Sequence, residues 1–109
     1  MSTQAMIVYC TLPDTDDAAR IARAVVEEKL AACVNLVPGV RSIYRWQGEV
    51  FDDGERLAII KTTVDGFEAL RARLVELHPY DTPEVIGVPI AAGHPPYLAW
   101  LTEACERSG

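Results

Sequence analysis

The densest group of chemically active side chains lies between His78 and Glu84, where the chain reads His-Pro-Tyr-Asp-Thr-Pro-Glu. An imidazole is a ligand for copper, zinc or nickel, and a carboxylate completes a harder site. Two prolines stiffen the segment, so its polar groups are positioned in advance. His78, Asp81 and Glu84 are therefore candidate metal ligands. Alternatively, His78 caps a helix, Asp81 belongs to a turn and Glu84 is an ordinary strand-end carboxylate.

Cys10 is the fourth candidate ligand, because a soft thiolate at the end of a strand can meet a metal at the sheet edge. The alternative is a small buried hydrophobe, which is the common role of a free cysteine. Cys33 and Cys105 complete the set. An odd count without a CxxC motif predicts neither a disulfide framework nor a four-ligand zinc site.

Asp81 and three further side chains are candidates for lining a ligand cleft. Tyr44 and Trp46 are large groups on a predicted hairpin, where they serve either a cleft or a subunit interface. Lys61 follows an apolar strand and is interpreted in three ways: as a partner of an anionic ligand, as a partner of Glu84, or as a solvated lysine. No nucleophile can be paired with a base and no Gly-rich phosphate loop is present, so we do not expect an enzyme.

The bulk composition excludes several classes of partner. The formal net charge is −6, from 16 acidic and 10 basic side chains. Nucleic acids and anionic membranes are not expected partners, because both require clustered Lys and Arg. No apolar run reaches the roughly 20 residues that span a bilayer, and the first residues lack the pattern of a signal peptide. We expect one domain over residues 1–109, located in the cytoplasm.

The hydrophobic pattern predicts seven elements in the order β-α-β-β-α-β-α. The predicted strands cover residues 6–12, 32–46, 49–63 and 84–90, with a bulge or bend at Pro38-Gly39 and a loosened stretch at residues 52–54. The first strand is almost entirely apolar, which is typical of a central strand covered on both sides. Asp14 is expected to cap the first helix, and Asp65 with Glu68 to form a capping box on the second.

This order predicts an α+β fold, the ferredoxin-like split βαβ sandwich with an additional C-terminal helix. The two middle strands, at roughly 15 residues, far exceed the usual length of about 5–6. A hairpin of that length projects beyond its own sheet and exposes unpaired edges, which monomers normally avoid. We therefore expect the hairpin over residues 40–51 to pair with neighbouring subunits in a closed ring.

Five segments resemble the CutA divalent-cation-tolerance family, and they occur in the family's order. They are Lys29–Asn35, Ser42–Gly48, Ile60–Thr62, His78–Tyr80 with Pro83-Glu84, and Tyr97–Trp100. The resemblance covers essentially the whole chain. It implies a trimer built through the long hairpin, topologically similar to PII signalling trimers, and a link with tolerance to copper and other divalent cations.

The resemblance also implies a copper site at Cys10 and two adjacent histidines, of which this chain has only His78, since Leu77 replaces the other. One hypothesis is thus a homotrimer that binds copper, or another divalent cation such as zinc, through Cys10 and His78 with help from Glu84 or Asp81. The other is a PII-like signalling or scaffold trimer whose intersubunit cleft binds a metabolite or a protein. Its expected lining is Tyr44, Trp46, Lys61, His78 and Glu84.

Overall fold

The computed structural model describes residues 3–106, which form four strands and three helices. These are β1 (Ala5–Pro13), α1 (Asp17–Glu27), β2 (Cys33–Trp46), β3 (Glu49–Thr63), α2 (Phe67–Leu77), β4 (Ile86–Pro89) and α3 (Pro95–Ala104). The strands form one antiparallel sheet in the order β2-β3-β1-β4. Element order and topology confirm the predicted ferredoxin-like α+β fold with a central β1.

The main core lies between one face of the sheet and the helices α1 and α2. Alternate side chains of β1 point into it, and Val8, Cys10 and Leu12 are at most 1% exposed. The strand β3 and the two helices contribute the remaining fully packed apolar residues, which include Ala58, Ile60, Ile21, Val25, Leu70 and Leu74. Alternation along β1 therefore directs one set of side chains to these helices and the other set to the opposite face.

The opposite face of the sheet is apolar but only partly covered. Ile7 and Tyr9 are half-buried there and pair with Val88 and Ile86 of β4, which are 47% and 53% exposed. The expectation that β1 is covered on both sides is therefore wrong for the single chain. A separate small cluster at the end of the sheet joins α3 to the strands through Ala5, Ala32 and Leu101.

The strands β2 and β3 form a hairpin that accounts for the elongated dimensions of the molecule, 44 × 29 × 22 Å. Its turn is Gln47-Gly48, where both residues have positive φ. The register shifts between Val37 and Val40, so the predicted irregularity at Pro38-Gly39 is confirmed. The prediction of a loosened stretch at residues 52–54 is wrong, because those residues stay in register with β2.

Helix starts and the last strand differ from the sequence-based expectation. The N-cap of α1 is Asp16 rather than Asp14, whose carboxylate instead accepts a hydrogen bond from Arg56 Nε at 2.9 Å. The capping box on α2 is absent: Gly66 is the N-cap, and its N–H donates to Thr63 Oγ1 at 3.0 Å. The predicted fourth strand over residues 84–90 shortens to the four residues of β4.

Candidate functional site

A cleft of about 660 Å³ lies where the hairpin meets the segment that follows α2. Pro79 ends α2 and turns the chain back beneath the hairpin, because proline cannot continue a helix. The cleft is lined by residues of three strands and of this segment: Thr11, Ser42, Ile43, Tyr44, Trp46, Glu55, Pro79, Tyr80, Asp81, Thr82 and Glu84. Among these described lining residues there is no Lys, Arg or His, so the charged side chains of the cleft are all carboxylates.

His78 anchors this segment to the sheet through both nitrogens of its ring. Its Nε2 lies 2.7 Å from the carbonyl oxygen of Thr11, which can only accept, so Nε2 carries the proton. The backbone N–H of Tyr80 donates to Nδ1 at 3.2 Å. These two bonds define a neutral imidazole that is 7% exposed and hold the residues after it against β1.

Two tyrosine–carboxylate hydrogen bonds shape the wall of the cleft. The Tyr80 hydroxyl donates to Glu55 Oε2 at 2.9 Å, and the Tyr44 hydroxyl donates to Asp53 Oδ2 at 2.6 Å. Burial and the bond to Glu55 raise the pKa of Tyr80, and the bond to Asp53 raises the pKa of Tyr44. Both phenols therefore stay protonated at neutral pH with their donors occupied.

Cys10 lies behind the cleft in the main core, completely buried. Burial raises the pKa of its thiol to about 12, and the negative charges of Glu84 and Glu55 contribute to the rise. The side chain is thus a neutral thiol at neutral pH. A metal ion that used it as a thiolate ligand would have to displace a proton that the surroundings strongly retain.

The structure brings together four of the predicted site residues. Tyr44, Trp46, Asp81 and Glu84 line the cleft, with His78 fixed at its edge and Cys10 behind it. Lys61 lies elsewhere on the sheet, and its ammonium donates to Asn35 Oδ1; of its three interpretations, the pairing with Glu84 is therefore not seen within the described residues.

Sequence reasoning missed Glu55, which is only 6% exposed, and Asp53. These two acids stand two positions apart on one strand, and that spacing places them on the same face of the sheet. The spacing is the signal by which they could have been found.

A complete metal centre is not assembled within residues 3–106 of a single chain. Among these described residues, no group of three or more His, Cys, Asp or Glu side chains has a geometry that could hold a metal ion. Both nitrogens of His78 are engaged, and Cys10 is protonated. The single-chain arrangement therefore does not fit a copper ion at Cys10 and His78, and that site stays a prediction.

The fold and the cleft define a class of protein: a ferredoxin-like α+β domain with an overlong hairpin and an acidic cleft at the hairpin base. Residues 6–104 match the family model described as CutA1 divalent ion tolerance protein. The chain is 54% identical over 97 residues to the divalent-cation tolerance protein CutA of Thermus thermophilus, covering 89% of this chain and 94% of that protein. The chain belongs to the CutA1 divalent ion tolerance protein family.

Solved structures agree with this assignment. The structure of CutA1 from Oryza sativa superposes with a TM-score of 0.92 at 43% identity and covers 98% of both chains. The structure from Archaeoglobus fulgidus, titled a periplasmic divalent cation tolerance protein, gives a TM-score of 0.90 at 35% identity, over 94% of this chain and 99% of that one. In residues 3–106 we find no helix of sufficient length and apolar character to span a membrane.

Proposed function

We propose that this protein is a cytoplasmic, non-enzymatic homotrimer that binds divalent cations, each subunit being one domain over residues 1–109. The observation that carries the proposal is the cleft, whose charged lining residues Glu55, Asp81 and Glu84 are all acidic. Carboxylate oxygens are ligands for divalent cations, and a cleft with walls of one sign concentrates the opposite charge. Membership of a divalent-cation tolerance family supports the same reading.

The trimer is supported by apolar surface that the single chain leaves open. Ile43 and Val50 on the hairpin are 66% and 62% exposed, and Ile86 and Val88 on the edge strand β4 are about half exposed. Patches of this kind mark protein interfaces, and an unpaired edge favours association with another copy. A second subunit would also supply the ligands that one chain lacks for a complete metal centre.

Copper is the first candidate metal and zinc the second, and two sets of ligands compete for the role. One is the soft set, Cys10 and His78, which would have to break the hydrogen bonds of His78 and deprotonate the thiol. The other is the carboxylate set around Glu84, which lines the cleft and would be completed by ligands from a second subunit. The position of the carboxylate set on the cleft wall favours it over Cys10, which is completely buried.

Calorimetric titration with Cu(I), Cu(II) and Zn(II) separates the two sets. We expect Asp81→Asn with Glu84→Gln to weaken Cu(II) and Zn(II) binding at least about tenfold, the equivalent of about 1.4 kcal/mol, and Cys10→Ser with His78→Asn to change it less. The matched control Glu27→Gln removes an acid on α1, away from the cleft. Loss of binding only in the Cys10–His78 variant would assign the metal to the soft set, and no binding by the wild type would reject the proposal.

A second candidate function is a PII-like signalling or scaffold trimer that binds a small metabolite. The observation that favours it is the size of the cleft, since about 660 Å³ lies within the range of small-molecule sites, about 300–1,000 Å³. A metabolite that remains bound in native mass spectrometry would support it.

A further inference from the structure

We infer that the cleft binds a small aliphatic polyamine, whose ammonium groups contact the cleft carboxylates and whose methylene chain lies against the aromatic side chains. The inference concerns the same cleft as the metal proposal but does not depend on metal binding. It rests on the volume of the cleft, the sign of its charges and the shortage of free donors on its walls.

Volume argues for a molecule larger than an ion. A water molecule occupies about 30 Å³ of liquid, so a single cation, even with several water ligands, leaves most of a cleft of about 660 Å³ unfilled. Three acidic side chains line this space without a basic residue among the described lining positions. A ligand with more than one positive charge satisfies this arrangement better than a monocation.

Glu55 provides a hydrogen-bond acceptor on the wall of the cleft. It is 6% exposed and lines the cleft, and its Oε2 accepts from the Tyr80 hydroxyl. Among the described residues, no donor reaches the other carboxylate oxygen, Oε1, and this oxygen is therefore accessible to solvent. A nearly buried carboxylate with one solvent-accessible oxygen takes its further donor from water or from a ligand.

The aromatic residues supply the apolar part of the site. Tyr44, Trp46 and Tyr80 line the cleft and are 43%, 40% and 40% exposed, so their rings offer free surface. The phenol donors of Tyr44 and Tyr80 are already used by Asp53 and Glu55. Tyr44 stacks on Phe51 and Tyr80 packs against His78, so each tyrosine offers the part of its ring surface that these contacts leave exposed. Aromatic surface attracts ammonium groups as well as methylene chains. An ammonium also brings three donors to walls rich in acceptors.

The same features argue against an anionic metabolite such as a nucleotide. Phosphate groups are bound by Arg, Lys or clustered backbone N–H groups, and the described lining residues include neither cationic type. Three carboxylates would repel a phosphate. The metabolite of a PII-like function would therefore be a cation.

The test is a titration with spermidine and 1,4-diaminobutane, followed by calorimetry and by Trp46 fluorescence. Trp100 lies on α3, so Trp100→Phe serves as the background in which Trp46 is the remaining tryptophan. We expect saturable binding of both amines, tighter for spermidine because it carries one more charge. The neutral analogue 1,4-butanediol should bind at least about tenfold more weakly.

Variants locate the amine. Glu84→Gln and Tyr80→Leu should each weaken spermidine binding about tenfold, in line with the loss of one charge contact or one cation–π contact, whereas Glu27→Gln, which removes the same charge from α1, should leave it within about twofold. Equal weakening by Glu27→Gln would overturn the site, because it would mean non-specific attraction to an acidic protein. Binding of 1,4-butanediol as tight as that of the diamine would overturn it as well.

Parallel titrations with Cu(II), Zn(II), the two amines and Mg²⁺ distinguish this inference from the metal proposal. If Cu(II) or Zn(II) binds and neither amine does up to 10 mM, about the weakest binding that counts as a site, the polyamine inference fails and the metal proposal stands. If the amines bind and the metals do not, the metal proposal fails and the polyamine inference stands. If Mg²⁺ displaces spermidine at equal concentration, the cleft selects charge alone and the inference is wrong.

Discussion

The two halves of β3 share one ladder of hydrogen bonds but have opposite surroundings. Residues 55–63 are all buried or half-buried, and from residue 57 the two classes alternate, with Ala58, Ile60 and Thr62 almost completely covered. In residues 49–54, every side chain but that of Phe51 is exposed, although these residues pair with β2 in regular register. Backbone pairing is therefore the same in both halves, and the difference lies in what covers the side chains.

This comparison shows that the rest of the chain buries the inner half, whereas the outer half stays exposed in the single chain. The helices α1 and α2 bury the inner half against β1. In the outer half, the described residues form cross-strand contacts such as the Tyr44–Phe51 ring stack and the Arg41–Asp52 ion pair. Cross-strand contacts between solvent-exposed side chains contribute little to stability, whereas burial of one large apolar side chain contributes about 1.5–3 kcal/mol.

The largest expected effect belongs to the inner half. Leu70→Ala on α2 removes a fully buried side chain from the main core. We expect the free energy of unfolding to fall by about 2–5 kcal/mol, through lost burial and the cavity that remains. Urea denaturation measures this, and Val75→Ala on the exposed side of the same helix should change it by less than about 1 kcal/mol. Equal effects would contradict the assignment of the core.

A substitution of His78 tests whether the hydrogen bonds of its ring stabilise the edge of the cleft. His78→Ala removes the bonds to Thr11 and Tyr80, and we expect the metal-free protein to lose about 1–3 kcal/mol of unfolding free energy. His94, the exposed N-cap of α3 without a side-chain cap bond, is the matched control, and His94→Ala should have little effect. An unchanged stability of His78→Ala would favour a ligand role for this histidine over a structural one.

Cys10 predicts a pH dependence of stability. The pKa of its thiol in the folded chain, about 12, lies above the ordinary thiol value of 9.0, so between these values the unfolded chain releases a proton that the folded chain retains. The contribution of this thiol to the free energy of unfolding is therefore fully present below about pH 9. As the pH rises towards 12, that contribution falls by at most about 1.4 kcal/mol per pH unit. The slope should be smaller in Cys10→Ala and retained in Cys33→Ala. An identical slope in Cys10→Ala and wild type would contradict the assignment.

The smallest effect on the single chain is expected in the outer half. Ile43 and Val50 lie on one face of the hairpin and are largely exposed. Ile43→Ser with Val50→Ser should change the unfolding free energy of dissociated chains by less than about 1 kcal/mol, yet shift the sedimentation behaviour from trimer towards monomer. A wild-type protein that sediments as a 12.0 kDa species would break the comparison, because the outer half would then persist uncovered.

The pattern of residues was sufficient for the fold and for part of the candidate site. Alternation and helical periodicity predicted the elements, their order and the overlong hairpin, since these follow from local sequence. The bounds of β3 agree with the prediction, and the irregularity at Pro38-Gly39 followed from the missing donor of proline. The spacing of prolines in the segment after α2 marked Asp81 and Glu84 as site residues.

Only the tertiary structure decided which side chains meet. Asp14 binds Arg56, 42 residues away, instead of capping α1, and Lys61 turns to Asn35 instead of Glu84. Glu55 joined the cleft because Tyr80, 25 residues later, donates to it. Such pairings depend on register and on where loops return, which local propensity does not encode. Sequence therefore determined the elements and the acidity of this protein, and packing determined that its acids and aromatic rings share one cleft.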